Sequence, residues 1–272
     1  MKKKNFTITA IILSLLIAVL PLPLHASNSP ALSTRTVGNL EFSNCITDEE
    51  IADISEDELM ILEREAVGPI ISTSTLPYLS AAQTYSRYDS LSTENPPQVY
   101  DLATLRITIT RMPDYEAAYG DRPAFKFIFT VSLNSGKAFN ANHPDFIGLS
   151  WNSGFHLIPG TQTAYTAYRN EISGSSGFDY NCATQDDIGY SGVSFKIDIS
   201  VYDYLVVETA EVYATSSAGN DVAVGGVYVS CEKTYSLSDA TFTVSIPPAF
   251  SFGINSSIDD ESMTVYATTT YV

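Results

Sequence analysis

The chain has 272 residues, 44% of them hydrophobic, with 14 Lys and Arg against 31 Asp and Glu and a formal net charge of -17. That is enough apolar material for one substantial core, and 17 Tyr and 13 Phe among many Val, Ile and Thr favour strands. The acidic balance excludes nucleic-acid backbones and anionic lipid as partners, because both are held by clustered Lys and Arg.

Lys2, Lys3 and Lys4 open the chain, an apolar run follows from Phe6 to Leu20, and Pro21 and Pro23 stand just before Leu24-His25-Ala26. That order predicts a secretory signal peptide over residues 1–26, cleaved after Ala26. The run falls short of the roughly 20 residues that span a bilayer, so an uncleaved N-terminal anchor is the lesser alternative. The expected location is secreted and extracellular, with no stable membrane insertion after cleavage. Three of the 14 basic residues leave with the leader, so the exported chain is more acidic still. An excess of carboxylates outside the cell, where calcium is abundant, keeps structural Ca²⁺ open; no other cofactor is expected.

Residues 27–46 are rich in Ser, Thr, Pro and Asn and are expected to form a flexible leader. Two short acidic helices are predicted within 47–67. Thr47 with Glu50 and Ser55 with Glu58 have the spacing of capping boxes, and Ile46 with Ile51 and Ile54 with Leu59 that of hydrophobic staples. The acidic first turns suit the helix dipole, and the cluster lacks the turn glycine of a calcium loop. Gly68-Pro69 ends the helical pattern. Residues 68–100, closing on Asn95-Pro96-Pro97, read as a linker or strap.

From residue 101 the period is two. Leu105, Ile107 and Ile109 alternate with polar residues, as do Phe125, Phe127, Phe129, Val131 and Leu133, and again Val193, Phe195, Ile197, Ile199 and Val201. Further strands are expected at 146–151, 154–158, 163–169, 205–214, 222–231, 240–246 and 263–271. Clusters such as Asn134-Ser-Gly136 and Asn152-Ser-Gly154 punctuate them. Residues 101–272 are therefore predicted to be an antiparallel β-sandwich, immunoglobulin-like or jelly-roll, so the fold class is all-β with a short helical and irregular N-terminal region. In 222–231 the apolar positions switch from even to odd across Gly225-Gly226, which predicts a β-bulge there.

The search for chemistry is short. After the leader only His143 and His156 remain, and the sequence contains no G-x-S-x-G, H-E-x-x-H or C-x-x-C pattern. Glycoside cleavage needs two carboxyls facing across a cleft, whereas Glu208 and Glu211, three apart in a strand, face opposite sides. If 146–151 and 154–158 pair as a hairpin, Trp151 offers a ring for stacking on a sugar, with Asp145, Asn152 and His156 as hydrogen-bonding neighbours. The simpler reading has Trp151 filling the sandwich core. Lys126 and Lys196 lie opposite the apolar faces of their strands and read as exposed lysines, Lys196 beside Asp198.

Export permits a disulfide, and the three cysteines leave one over. Cys182 with Cys231 is the candidate pair, which leaves Cys45 as a free thiol able to link two chains. A Lys-opened leader before a Thr-, Ser- and Tyr-rich β body resembles secreted surface proteins of Gram-positive bacteria, a likeness of type that carries over no site residue. The functional expectation is a secreted non-enzymatic binding, adhesion or structural module with an extracellular glycan or protein partner. The alternatives are a carbohydrate-active enzyme of the sandwich type or a secreted toxin-like effector.

Overall fold

A computed structural model describes residues 32–79, 101–118, 122–133, 145–152, 154–169, 175–189, 191–198, 205–216, 221–230, 241–245, 249–253 and 261–270. Among the described residues the protein is mostly β, as the alternation of apolar residues predicts, with two facing sheets, a separate hairpin and three helices.

The larger sheet has nine strands. In chain order they are β1 (Thr34–Val37), β2 (Leu40–Ser43), β3 (Ile70–Leu79), β4 (Asp101–Arg111), β5 (Ala124–Leu133), β7 (Phe155–Leu157), β8 (Thr163–Arg169), β9 (Ser176–Asp179) and β12 (Leu205–Ser216). Their spatial order is β1-β2-β3-β4-β5-β12-β8-β9, and β7 pairs with the far end of β12 beyond β8. The smaller sheet runs β10 (Ala183–Gly189), β11 (Gly192–Ile197), β6 (Asp145–Trp151), β13 (Asp221–Ser230) and β16 (Glu261–Thr270). A separate hairpin joins β14 (Thr241–Ser245) to β15 (Ala249–Gly253). Described pairings are antiparallel except for a single parallel contact, Phe42 with Ile70, between β2 and β3.

The apolar sets predicted by period two meet between the sheets. Leu105, Ile107 and Ile109 of β4, Phe125, Phe127 and Phe129 of β5, and Ala210, Val212 and Ala214 of β12 face Ile147, Leu149 and Trp151 of β6, with Val193 and Phe195 of β11. Phe125 and Phe155 meet edge to face with centroids 5.6 Å apart, an arrangement aromatic quadrupoles favour.

The N-terminal region differs from its sequence reading. Residues 34–43, expected in a flexible leader, form the β1–β2 hairpin, turned at Gly38 with φ of +62°. Residues 70–79, expected in a linker, form β3, paired along β4. Both belong to the large sheet, so the sandwich begins before residue 101. Low apolar content hid them: TRTV and ISTST carry the β-branched residues of strands without a run of large hydrophobes.

The helices form a third layer. Helices α1 (Asp48–Ala52) and α2 (Glu56–Glu65) both begin with the predicted capping boxes, Thr47 with Glu50 and Ser55 with Glu58. A third, α3 (Pro113–Ala118), follows β4. Ile46, Ile54 and Leu62 pack with Leu40, Phe42, Ile70 and Ile128, flanked by Ile51 and Leu59 from the staples. Ile128 lies on the face of β5 opposite the sandwich core, so α1 and α2 cover the outside of the large sheet. Among the described residues no helix is long and apolar enough to cross a membrane.

The predicted bulge at Gly225-Gly226 is absent. Strand β13 keeps unbroken register with both neighbours, from Val222 with Thr269 to Val229 with Ser262 on one side and from Val224 with Trp151 to Val229 with Phe146 on the other. Val222, Val224 and Tyr228 all face the core. Gly226 completes that face because a Cβ there would lie 2.5 Å from Cδ2 of Phe129 in the opposing sheet. The glycine is a requirement of space. Register shifts occur instead between Gln185 and Asp187, Ile70 and Ser72, Tyr78 and Leu79, and Leu205 and Val207.

Candidate functional site

The four residues read as a ligand patch do not converge. Strands β6 and β7 join different sheets, so the chain crosses the sandwich between them and makes no hairpin there. Trp151 has no exposure and its ring lies 6.1 Å from that of Phe127 in the core. Asp145 is at the other end of β6, six residues and about 20 Å away at strand rise. Asn152 clamps the crossing: its N–H donates to the Ala223 carbonyl at 3.0 Å, and its Oδ1 accepts from the Ala223 N–H at 3.3 Å. His156 is half-buried on β7, on the face opposite the core residue Phe155. Cys182 carries a free thiol, half-buried and 3.3 Å from Thr166 Oγ1, and its candidate partner Cys231 lies outside the described residues. Cys45 is free and exposed. Lys196 and Asp198 pair at 3.2 Å on an open face, as predicted.

Lys126 is the largest departure. Expected at the surface, it is 1% exposed beneath the end of α2. Its Nζ lies 2.6 Å from Glu65 Oε2 and 2.7 Å from Glu211 Oε2. Three elements meet there: α2 brings Glu65, β5 brings Lys126, and β12 brings Glu211. From β8, Tyr165 donates its hydroxyl to Glu65 Oε1 at 3.1 Å.

The two carboxyls respond in opposite senses. Burial raises both. At Glu65 it is outweighed by the hydrogen bonds from Lys126, Glu211 and Tyr165, and the carboxyl ends below its ordinary value. At Glu211 burial wins against the attraction of Lys126, and its pKa rises to about 7. The attraction of both carboxylates outweighs the burial of Lys126 and holds its ammonium above the usual value. Burial also drives the Tyr165 hydroxyl strongly upward, so it stays a donor.

A second buried ion pair lies at the start of α2. Arg106, 1% exposed on the outer face of β4, donates Nε to Glu58 Oε1 at 3.1 Å and Nη2 to the Asp53 carbonyl at 2.7 Å. Thr130 on β5 donates to the same Glu58 oxygen at 3.3 Å. Glu58 therefore caps its own helix through one oxygen and holds the sheet through the other. Beside the helix end, the Arg64 guanidinium stacks over the Phe178 ring at 3.9 Å.

A third polar group lies inside the sandwich. As the strand period requires, Glu208 and Glu211 occupy opposite faces of β12. Glu208 points into the core near Asp145, whose Oδ2 accepts from the Tyr228 hydroxyl at 2.9 Å. Burial, followed by the charge of Asp145, pushes the Glu208 carboxyl well above its ordinary range. Among the described residues no group of three His, Cys, Asp or Glu is placed to hold a metal ion.

Sequence reasoning did not single out Glu65 or Tyr165, read Lys126 as exposed, and placed Glu208 and Glu211 on opposite faces without foreseeing that both are buried. One signal was available. The staple residues and Leu62 give α2 an apolar stripe that must be buried, and burying it on a sheet covers whatever stands on that sheet's outer face.

No family model matches this chain, and no curated protein matches it in sequence. Solved structures give remote likenesses only. The collagen-binding subdomain of the Enterococcus faecalis surface protein ACE aligns at 7% identity over 54% of this chain and 87% of that one, with a TM-score of 0.35. The collagen-binding domain of a Staphylococcus aureus adhesin aligns at 8% identity over 58% and 93%, with a TM-score of 0.32. Clostridium perfringens delta-toxin aligns at 7% identity over 88% and 96%, with a TM-score of 0.32. At these scores the likenesses decide nothing about activity.

Proposed function

We propose that this chain is a secreted, non-enzymatic β-sandwich module that works outside the cell by binding or by structural support, in the manner of a bacterial surface protein. The observation that carries the reading is the enclosure of two carboxyl pairs among the described residues. Glu208 and Asp145 are 0% and 2% exposed inside the sandwich, and Glu65 and Glu211 lie under the helical layer against Lys126. A glycosidase needs its two carboxyls open to a sugar and to water, and neither pair offers that access. The polar groups of the described core serve to join layers, which suits a scaffold that presents a surface. The acidic surface favours glycan or protein partners over anionic polymers. The exposed Cys45 thiol offers a point for linking two copies.

The test uses the secreted form, residues 27–272, on a glycan array and on a panel of immobilised extracellular-matrix proteins. Sugar-release and vesicle dye-release assays run in parallel. Saturable binding to one glycan or protein without sugar release or leakage is the expected outcome. Catalytic sugar release, or leakage from vesicles, would replace this reading with the enzyme or the toxin-like effector.

A further inference from the structure

We propose that the β14–β15 hairpin packs its apolar face on the outer face of the smaller sheet, as a further layer that withdraws that side of the sandwich from partners. Alternation divides the strands of this sheet between two faces. Leu149 and Trp151 of β6, Phe195 of β11, and Val224 and Tyr228 of β13 belong to the core. Phe146, Ser150, Ser194 and Val227, at the intervening positions, therefore stand on the outside. A face left to water would expose them. Instead Phe146 is 4% exposed, Val227 2%, Ser194 1% and Ser150 0%. Helices α1 and α2 do not account for this, since they cover the outside of the other sheet.

The hairpin fits that face by pattern and by position in the chain. Its register sets Phe242 opposite Phe252 and Val244 opposite Phe250, so these four positions share one face and Thr241, Thr243 and Ser251 share the other. It forms a two-stranded sheet of its own. A lone hairpin is marginal in water at best, and an apolar face gains its stability by packing on another layer. The hairpin lies in the connection from β13 to β16, and both of those strands belong to the smaller sheet.

The two ends of that connection fix where it starts. Ser230 pairs with Glu261, and Val229, one step inward, pairs with Phe146. The hairpin is thus tethered at the end of the sheet where the outer phenylalanine stands. Residues 231–240 before it and 254–260 after it reach roughly 35 and 25 Å at full stretch, whereas a layer packed on a sheet sits only about 10 Å away. The inner face is already filled by the larger sheet. Only the outer one can receive the hairpin, and Gly148 between Phe146 and Ser150 keeps its floor low enough for close approach.

The experiment is hydroxyl-radical footprinting of residues 27–272, read by mass spectrometry at single phenylalanines. In the wild type Phe242, Phe250 and Phe252 are expected to label as slowly as Phe127 of the core, and labelling as fast as in the urea-unfolded chain would overturn the docking. Phe146→Ser should raise labelling at the three hairpin positions several-fold while Phe127 stays protected. Equal labelling in the two proteins would mean that the hairpin is buried elsewhere, and would overturn the assignment. Where Phe146→Ser exposes Phe127 as well, the variant has unfolded, and the milder Val227→Thr is read in its place with the same two outcomes. Sedimentation at the labelling concentration identifies the chain involved: a monomer is expected, whereas a dimer whose hairpin protection vanishes on dilution would assign the face to a second copy and overturn packing within one chain.

Discussion

Replacing Lys126 with Met removes the cation and keeps most of the aliphatic stem, so it separates charge from packing. In the wild type one ammonium serves two carboxyls, Glu65 at 2.6 Å and Glu211 at 2.7 Å, with side-chain exposures of 1%, 11% and 10% for Lys126, Glu65 and Glu211. Deleting one partner of a buried pair typically costs about 3–5 kcal/mol, because the remaining charge stays buried without compensation. For a chain of this size each kcal/mol lowers the melting temperature by about 2–4 °C, so Lys126→Met is expected to lower it by roughly 6–20 °C at pH 8. The loss should shrink at pH 5. There Glu211 holds its proton even in the wild type, since its pKa is raised to about 7, and only Glu65 is left as a bare charge. Adding Glu211→Gln to the variant should recover part of the loss at pH 8 and little at pH 5. Circular-dichroism melts at the two pH values read all of this. A loss below about 1 kcal/mol at pH 8, the size expected of a surface pair, would refute the buried triad, as would equal losses at both pH values.

Gly226→Ala is expected to destabilise the sandwich by about 1–3 kcal/mol, because the new methyl meets the Phe129 ring, and Phe129→Leu in the same chain should relieve part of it; denaturant titration of the single and double variants reads both. Ser55→Ala and Thr47→Ala should each cost about 0.5–2 kcal/mol of helix stability, with the larger effect at Ser55, whose partner Glu58 also holds Arg106. Amide exchange across 48–65 measures this, and unchanged protection would count against the caps. Trp151, the only tryptophan, should emit at short wavelength and resist acrylamide quenching until the protein unfolds, whereas ready quenching of the native protein would place the ring at the surface.

The sandwich core was legible because its strands obey a strict period. Phe125, Phe127, Phe129 and Val131 can be placed on one face from their spacing alone, and the structure buries all four. The capping boxes were legible for a similar reason, since they are local contacts at fixed offsets. What escaped depended on a third layer. Period two places Lys126 and Arg106 opposite the core, but whether that face meets water or a helix is decided by long-range packing. Weak strands escaped too, because β1 and β3 are held by their neighbours more than by their own hydrophobicity. At Gly226 the even-to-odd switch was real, and its cause was a ring in the opposite sheet, which no local pattern records.

The order of the elements sets a timing problem for synthesis. The cover comes first: α1 and α2 leave the ribosome long before β8 and β12, which supply Tyr165 and Glu211 to the seat of α2. Until those strands arrive, the apolar stripe of the helices has only part of its partner surface and the carboxylate of Glu65 only part of its hydrogen bonding. The cover must therefore wait, solvated or held by another protein, and close over the sheet late in folding. Contacts so distant in sequence are slow to form, which makes the nascent N-terminal segment the stretch most in need of protection while the rest of the chain is made.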